Sequence, residues 1–316
     1  MRVYAVSNQK GGVAKTTTAI SLAAALAGFG RRVLAVDLDP QANLTLGVGV
    51  RLEDGRPTTL EVLTGGATVA DAAVPTEVPG LECLPADVGL TAAERRLYGE
   101  PAFDEILGRC LAPVASRYDY AVVDCPPSLG PLTMNALAAG ASVLVPVQCE
   151  YFSAKGLDQL LDVIALVRER RAADLALRVL PTLYDRRNRV AREVLAELKR
   201  AFPEELVPVV IDVDTRLREA AAHGRPIGVH APTARAAVQY RTLALEIVRI
   251  EEGEQAARDA VAERVARPTR TRRTAGGAAA AAAAGSAAAA AARRARPPAR
   301  PPPSLRIAAN CDWAEG

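Results

Sequence analysis

The stretch Lys10 to Thr17, KGGVAKTT, constrains this chain more than any other part of it. It follows a strand-like run, Val3–Ser7, and opens a helical pattern, Thr16–Gly28, with small residues on one face. A strand, a glycine-rich loop, Lys-Thr and a helix, in that order, make a phosphate-binding loop. Its backbone N–H groups aim at phosphate oxygens, helped by the helix amino terminus. On this reading Gly11, Gly12, Val13, Ala14, Lys15, Thr16 and Thr17 line the phosphates of ATP. Lys15 reaches the β- and γ-phosphates, and Thr16 offers its hydroxyl to Mg²⁺.

Two residues depart from the general pattern. Lys10 stands at the front of the loop, where a second ammonium beside Lys15 is repelled unless a phosphate lies between them. Reaching across to the nucleotide of a neighbouring subunit would avoid that repulsion. Ala14 stands where glycine is usual, and its methyl group requires either a negative φ or a small strain.

The chain then alternates strand and helix patterns. Strands are expected at 32–36, 81–84, 120–124, 142–147, 176–183 and 206–211. Helices are expected at 103–116, 133–139, 157–171, 190–202 and 234–252, the last running on to about 266. Near-continuous Val, Leu and Ile strands imply an α/β fold, a mostly parallel twisted sheet with helices on both faces, as in P-loop NTPases. Such sheets bind ligands beyond the carboxyl ends of their strands. Polar clusters follow Ser7, Val36, Val123 and Val147, at those ends. Asp37, Asp39 and Asp124 close two of the strands. Carboxylates beside a triphosphate imply a metal ion or an activated water, so Asp124, directly or through water, and Asp37 are candidate Mg²⁺ ligands. A turn or helix-cap role is the alternative for each.

Charge divides the chain. Arg264–Arg306 holds ten arginines and no acid, so the remainder carries −7 within a net charge of +3. From Pro268 onward the composition is Ala, Arg and Pro, which cannot bury a core. The expected organisation is an ATPase domain over 1–266 and a disordered tail over 267–316. The tail suits nucleic acid, an anionic membrane or an acidic partner, or is simply a solvated extension. Its single Trp313 reads as random sequence or as part of a short binding peptide. The five cysteines form no CxxC pair, which argues against a zinc site or a disulfide framework. With no signal peptide and no membrane span, a cytoplasmic location is expected.

The segments SNQKGGVAKTTTAISLAAAL, VDLDPQANLT, VVDCPPSLGPLTMNAL and VPVQCEYFSAKGL resemble the ParA/Soj partitioning ATPases of the ParA/MinD superfamily, from Val3 to about Ile250. The resemblance implies an ATP-dependent sandwich homodimer that binds DNA without sequence preference and is released when a ParB-like partner stimulates hydrolysis. It implies that Lys10 contacts the nucleotide of the partner subunit and that Gly11 lies at the dimer face. It implies Lys15 and Thr16 as phosphate lysine and Mg²⁺ ligand, Asp39 as the residue that positions or activates the attacking water, and Asp124 as the Walker B aspartate. Catalysis would thus rest on Lys10, Lys15 and Asp39. Arg187 and Arg216 lie near the arginines that contact DNA in the family. Ala14, Lys155, Asp212 and Asp214 depart from its usual residues.

Sequence-blind DNA binding needs several phosphate-facing cations rather than base readout. Arg186, Arg187, Arg189, Arg192, Arg216 and Arg218 supply them, and a solvated helix face is the alternative. Three other readings compete. A MinD-like ATPase would need an amphipathic membrane helix, and this tail has few large apolar residues, so stable membrane insertion is not expected. An iron–sulfur reductase would need paired cysteines at the dimer interface, and Cys125 and Cys149 lie in segments that already match the partitioning branch. A nucleotide-gated scaffold with little hydrolysis rests on Ala14 alone. With no N-terminal helix-turn-helix, direct operator binding is not expected.

Overall fold

The computed structural model describes residues 1–100, 102–150, 153–171 and 175–266. The expected tail at 267–316 lies outside these residues, and the side chain of Lys155 lies outside those described.

Seven strands form one sheet: β1 Arg2–Val6, β2 Val33–Asp37, β3 Val74–Pro75, β4 Leu81–Leu84, β5 Tyr120–Asp124, β6 Ser142–Gln148 and β7 Ala176–Thr182. Their order is β3-β4-β2-β5-β1-β6-β7. Every pairing is parallel except that of β3 with β4, so the fold is the expected α/β one.

Strand residues alternate between two cores. Val3 and Ala5 of β1, with Ala121 and Val123 of β5, enter one apolar cluster. Tyr4 and Val6, with Tyr120 and Val122, enter the other. Burial on both faces explains why these strands read as continuous apolar runs rather than as alternating ones. Helix α1, Lys15–Gly28, packs its alanines on the second face. Small side chains let a helix approach a sheet closely, which suits a core poor in aromatics. Tyr240, fully buried on the helix Arg235–Ala266, puts its hydroxyl 3.1 Å from that of Thr18 and so ties this helix to α1. Met1–Val248 form one compact unit.

The structure corrects the element reading in three places. The strand expected at 206–211 is an interrupted edge, with one isolated bridge to β7 at Val179–Leu206 and another just past it at Tyr184–Asp212. Val207 N–H donates to Val179 O and Ile211 N–H to Pro181 O, but the next donor of a regular parallel ladder is residue 181 of β7, a proline with no N–H to give to Val207 O. The helix expected at 103–116 is a 3₁₀ turn (Phe103–Glu105), a short helix (Ile106–Leu111) and a second turn (Ala112–Val114) that contains Pro113. The segment between β2 and β4 also holds helices that short polar runs concealed, at Asn43–Gly47 (α2), Thr59–Thr64 and Val69–Ala72. Among the described residues, no helix is long and apolar enough to cross a membrane.

Candidate nucleotide site

The expected site residues meet where β1, β2 and β5 end. Register pairs Val6 with Asp124 and Asp37 with Asp124, so the loop that leaves β1 lies beside both aspartates. The loop is held from beneath. Asn8, buried, donates its amide to Pro146 O at 2.8 Å and accepts from Lys10 N–H at 3.0 Å. Val13 is fully buried, and its carbonyl accepts from the Thr182 hydroxyl at 3.0 Å. Gly11 and Gly12 remain exposed at the lip.

Ala14 resolves the question its methyl group posed. Its φ is +68°, in the left-handed region, beside Gly12 at +76°. The loop therefore keeps the path that glycine would give it, at a cost of roughly 1 kcal/mol for an alanine in this region. Ala42 and Leu183, after β2 and β7, also have positive φ. Three of the four non-glycine residues of this kind among those described thus follow strands at this end of the sheet, where strained backbone commonly accompanies binding sites.

No side chain caps the start of α1, so its first-turn N–H groups stay available to an anion. Lys15 is buried and its ammonium donates to Lys10 O at 3.1 Å, folded onto the loop itself. Burial lowers its pKa, while Asp124, Cys125 and Asp39 pull it back up.

The three aspartates separate clearly. Asp124 is fully buried, and neither carboxylate oxygen has a hydrogen-bond partner. Burial pushes its pKa well above the usual carboxylate range and the nearby Asp37 adds to this, while the Thr16 hydroxyl and Lys15 act the other way. An orphaned buried carboxylate beside a threonine hydroxyl is what a hard cation requires. Among the described residues no group of three or more His, Cys, Asp or Glu could hold a metal ion. A cation here would therefore share Asp124 with Thr16, phosphate oxygens and water, the set that suits Mg²⁺.

Asp37 is different, because its carboxylate is hydrogen-bonded within the protein. Its Oδ2 accepts from the N–H and hydroxyl of Thr45 at 2.8 and 2.7 Å, and its Oδ1 from Asp39 N–H at 3.1 Å. Oδ2 thus anchors α2 against β2, and Oδ1 holds the turn that follows β2. Burial raises its pKa to about 6 despite these bonds. Asp39 is also buried, with Oδ1 accepting from Gln41 N–H at 2.9 Å. It lies within electrostatic reach of both Lys15 and Asp124. Cys125 and Cys149 are buried, and burial pushes their thiols up, Cys149 to about 12.

The arginines gather at the other edge. Tyr184 N–H donates to Ile211 O and Val213 N–H to Tyr184 O, which brings the loop after β7 beside the start of the helix Thr215–Ala222. Arg187 is 87% exposed and chelates Asp185, with Nε and Nη2 each 3.0 Å from a carboxylate oxygen. Arg189 pairs with Glu193 at 2.7 Å and Arg216 with Glu219 at 3.5 Å. Arg192 donates to the carbonyl of Arg186 at 2.8 Å. The departures Asp212 and Asp214 are structural. Asp212 binds Arg235, and Asp214 caps the Thr215–Ala222 helix and accepts from Ala236 N–H.

Sequence reasoning passed over Asn8, Thr45 and Thr182, the side chains that hold the loop and Asp37 in place. Thr182 reads simply as the end of a strand, and its partner lies 169 residues away.

Comparison with known proteins agrees with this geometry. An AAA-domain family model matches residues 1–177. The sporulation initiation inhibitor protein Soj of Bacillus subtilis (strain 168) is 42% identical over 247 residues, covering 78% of this chain and 98% of Soj. The chromosome partitioning protein ParA of Myxococcus xanthus (strain DK1622) is 40% identical, over 78% of this chain and 88% of its own. Among solved structures, cobyrinic acid a,c-diamide synthase from Mycobacterium smegmatis, with bound ADP and magnesium, is 38% identical with a TM-score of 0.70, over 80% of this chain and 96% of that one. The cell division ATPase MinD of Pyrococcus furiosus is 28% identical with a TM-score of 0.64, over 79% and 99%. The same synthase is also solved with a bound ATP analogue and magnesium, again with a TM-score of 0.70. The phosphate loop, the orphaned Asp124 and the Soj and ParA relatives converge, and this chain belongs to the ParA/Soj family of partitioning ATPases within the ParA/MinD superfamily.

Proposed function

We propose that this chain is an ATP-driven switch in chromosome or plasmid partitioning: it dimerises on binding ATP, binds DNA without sequence preference in that state, and lets go after Mg²⁺-dependent hydrolysis stimulated by a ParB-like partner. The observation that carries this reading is the pairing of an orphaned, buried Asp124 with a loop that presents Lys15 within and Lys10 at its front. The name of the Myxococcus xanthus relative, chromosome partitioning protein ParA, supports the same cellular role.

In this reading the loop N–H groups and Lys15 bind the phosphates, and Lys15 exchanges its bond to Lys10 O for a phosphate oxygen. Thr16 and Asp124 hold Mg²⁺, which neutralises charge on the β- and γ-phosphates. Asp37 holds the β2 end and α2 in place, so that Asp39 can orient the attacking water. Lys10 reaches the nucleotide of a second copy, which makes assembly depend on ATP. A dimer doubles the arginine surface, and cation number governs sequence-blind DNA affinity. Such a protein would sit on the nucleoid in the cytoplasm. The ATPase domain is proposed to extend over 1–266, with 267–316 as an accessory basic tail.

Light scattering with Mg²⁺ and a slowly hydrolysed ATP analogue tests the switch, with ADP as control. The expected result is a doubling of mass with the analogue only, together with analogue-dependent, salt-weakened binding to unrelated DNA sequences by anisotropy. A monomer under both nucleotides, or DNA binding indifferent to nucleotide and salt, would overturn the proposal.

A further inference from the structure

Thr182 closes β7 and is fully buried, paired in register with Gln148. Its carbonyl accepts from Cys149 N–H at 3.1 Å, so its backbone is fixed by the sheet. Its hydroxyl lies 3.0 Å from the carbonyl of Val13 in the middle of the phosphate loop. In a trans peptide unit the C=O and the following N–H point in opposite directions. A Val13 carbonyl drawn inward to Thr182 therefore turns the Ala14 N–H outward, to the open side of the loop. Ala14 is also the residue that holds a positive φ without being glycine. A peptide flip that moved it to a negative φ would turn this N–H away and break the bond to Thr182.

From this geometry we infer that Thr182 is a positioning residue for the phosphate cradle: its hydroxyl holds the Val13–Ala14 peptide in the orientation that presents the Ala14 N–H to a phosphate oxygen. It touches no substrate and acts through Val13. The role matters more here than in a loop with glycine at position 14, because alanine alone favours the flipped form. The inference rests on reading residues 10–17 as the phosphate site.

The test compares Thr182→Val, which keeps shape and loses the hydroxyl, with Thr182→Ser, which keeps the hydroxyl. Affinities for ATP and for inorganic pyrophosphate, each with Mg²⁺, are measured by calorimetry. Thr182→Val is expected to weaken both by the same factor, about tenfold, as befits one misdirected hydrogen bond to a charged group. Thr182→Ser is expected to stay within about threefold of the parent. A side chain that only filled the core would lower the melting temperature without this shared phosphate-specific loss or its rescue by serine. Normal affinity in Thr182→Val, or an equal loss in Thr182→Ser, would overturn the assignment while leaving the phosphate site intact. A parent protein that bound neither probe would overturn both. Should Thr182→Val not fold, the amide resonance of Ala14 decides: it is expected to shift on pyrophosphate addition in the parent and in Thr182→Ser, and an unmoved resonance in the parent refutes the role.

Discussion

The phosphate loop and the arginine segment both leave the carboxyl end of the same sheet, and they are built in opposite ways. The loop is strapped from below by Asn8 and Thr182, carries a left-handed alanine, and keeps Lys15 and Asp124 buried. The arginines stand in solvent, each held loosely by an acidic neighbour or a carbonyl. Exposed ion pairs of this kind contribute little to stability. The difference matches two kinds of phosphate recognition. A nucleotide is gripped by fixed donors and a cation in a dry site, where small misplacements are costly. A DNA backbone is met by mobile charges that exchange an acidic partner for a phosphate at little cost, with affinity set by their number.

Changes in the loop should therefore act on chemistry and nucleotide binding, and changes at the arginines on DNA alone. The largest effect is expected from Asp39→Ala. ATP should still bind, while phosphate release falls by about 10² to 10⁴, the range for loss of a water-orienting or proton-accepting group. Turnover at the parent rate would refute the role of Asp39. Next comes the double change Arg187→Ala with Arg216→Ala. DNA affinity should fall evenly across sequences, and the slope of log affinity against log salt should shrink by about 0.9 for each DNA phosphate that is no longer neutralised. Basal ATP hydrolysis should not change; if it fell in parallel, the two regions would not be separable.

Asp185→Asn sharpens the same comparison from the other side, because it frees Arg187 and removes a negative charge. DNA binding should tighten. Arg187 holds the Asp185 carboxyl down to about 2. Its ion pair is therefore complete above the ordinary carboxylate pKa and is lost only as pH falls toward 2. DNA titrations at neutral and mildly acidic pH should agree as far as this pair is concerned. The smallest effect is expected from Ala14→Gly. Relief of the left-handed strain should stabilise the protein by up to roughly 1 kcal/mol in chemical denaturation. A marked loss of stability would mean that the strain at Ala14 is relieved in some other way.

Much of this was legible in local sequence. KGGVAKTT carries its own strand, turn and helix signals, and strands buried on both faces leave continuous Val, Leu and Ile runs that mark a parallel sheet. The aspartates could be placed at strand ends but not told apart. Asp37 and Asp124 have the same side chain at the same register, yet one has Thr45 beside it and the other has no protein partner. The segment at 206–211 looked like a strand because its apolar residues do pack against β7. Pro181 of β7 and the sheet edge, not the pattern, decide how much of it pairs.

The sequence by itself determined the fold class, the phosphate loop, and the identity of the lysines, threonine and aspartates around it, because each of these is written in contiguous residues. Tertiary structure alone decided that Ala14 takes a glycine's conformation, that Asp37 is hydrogen-bonded while the Asp124 oxygens are not, and that the Thr182 hydroxyl meets the loop. Each depends on partners brought together only when distant strands align, and the free energy of a buried polar group is set by those partners and not by its neighbours along the chain.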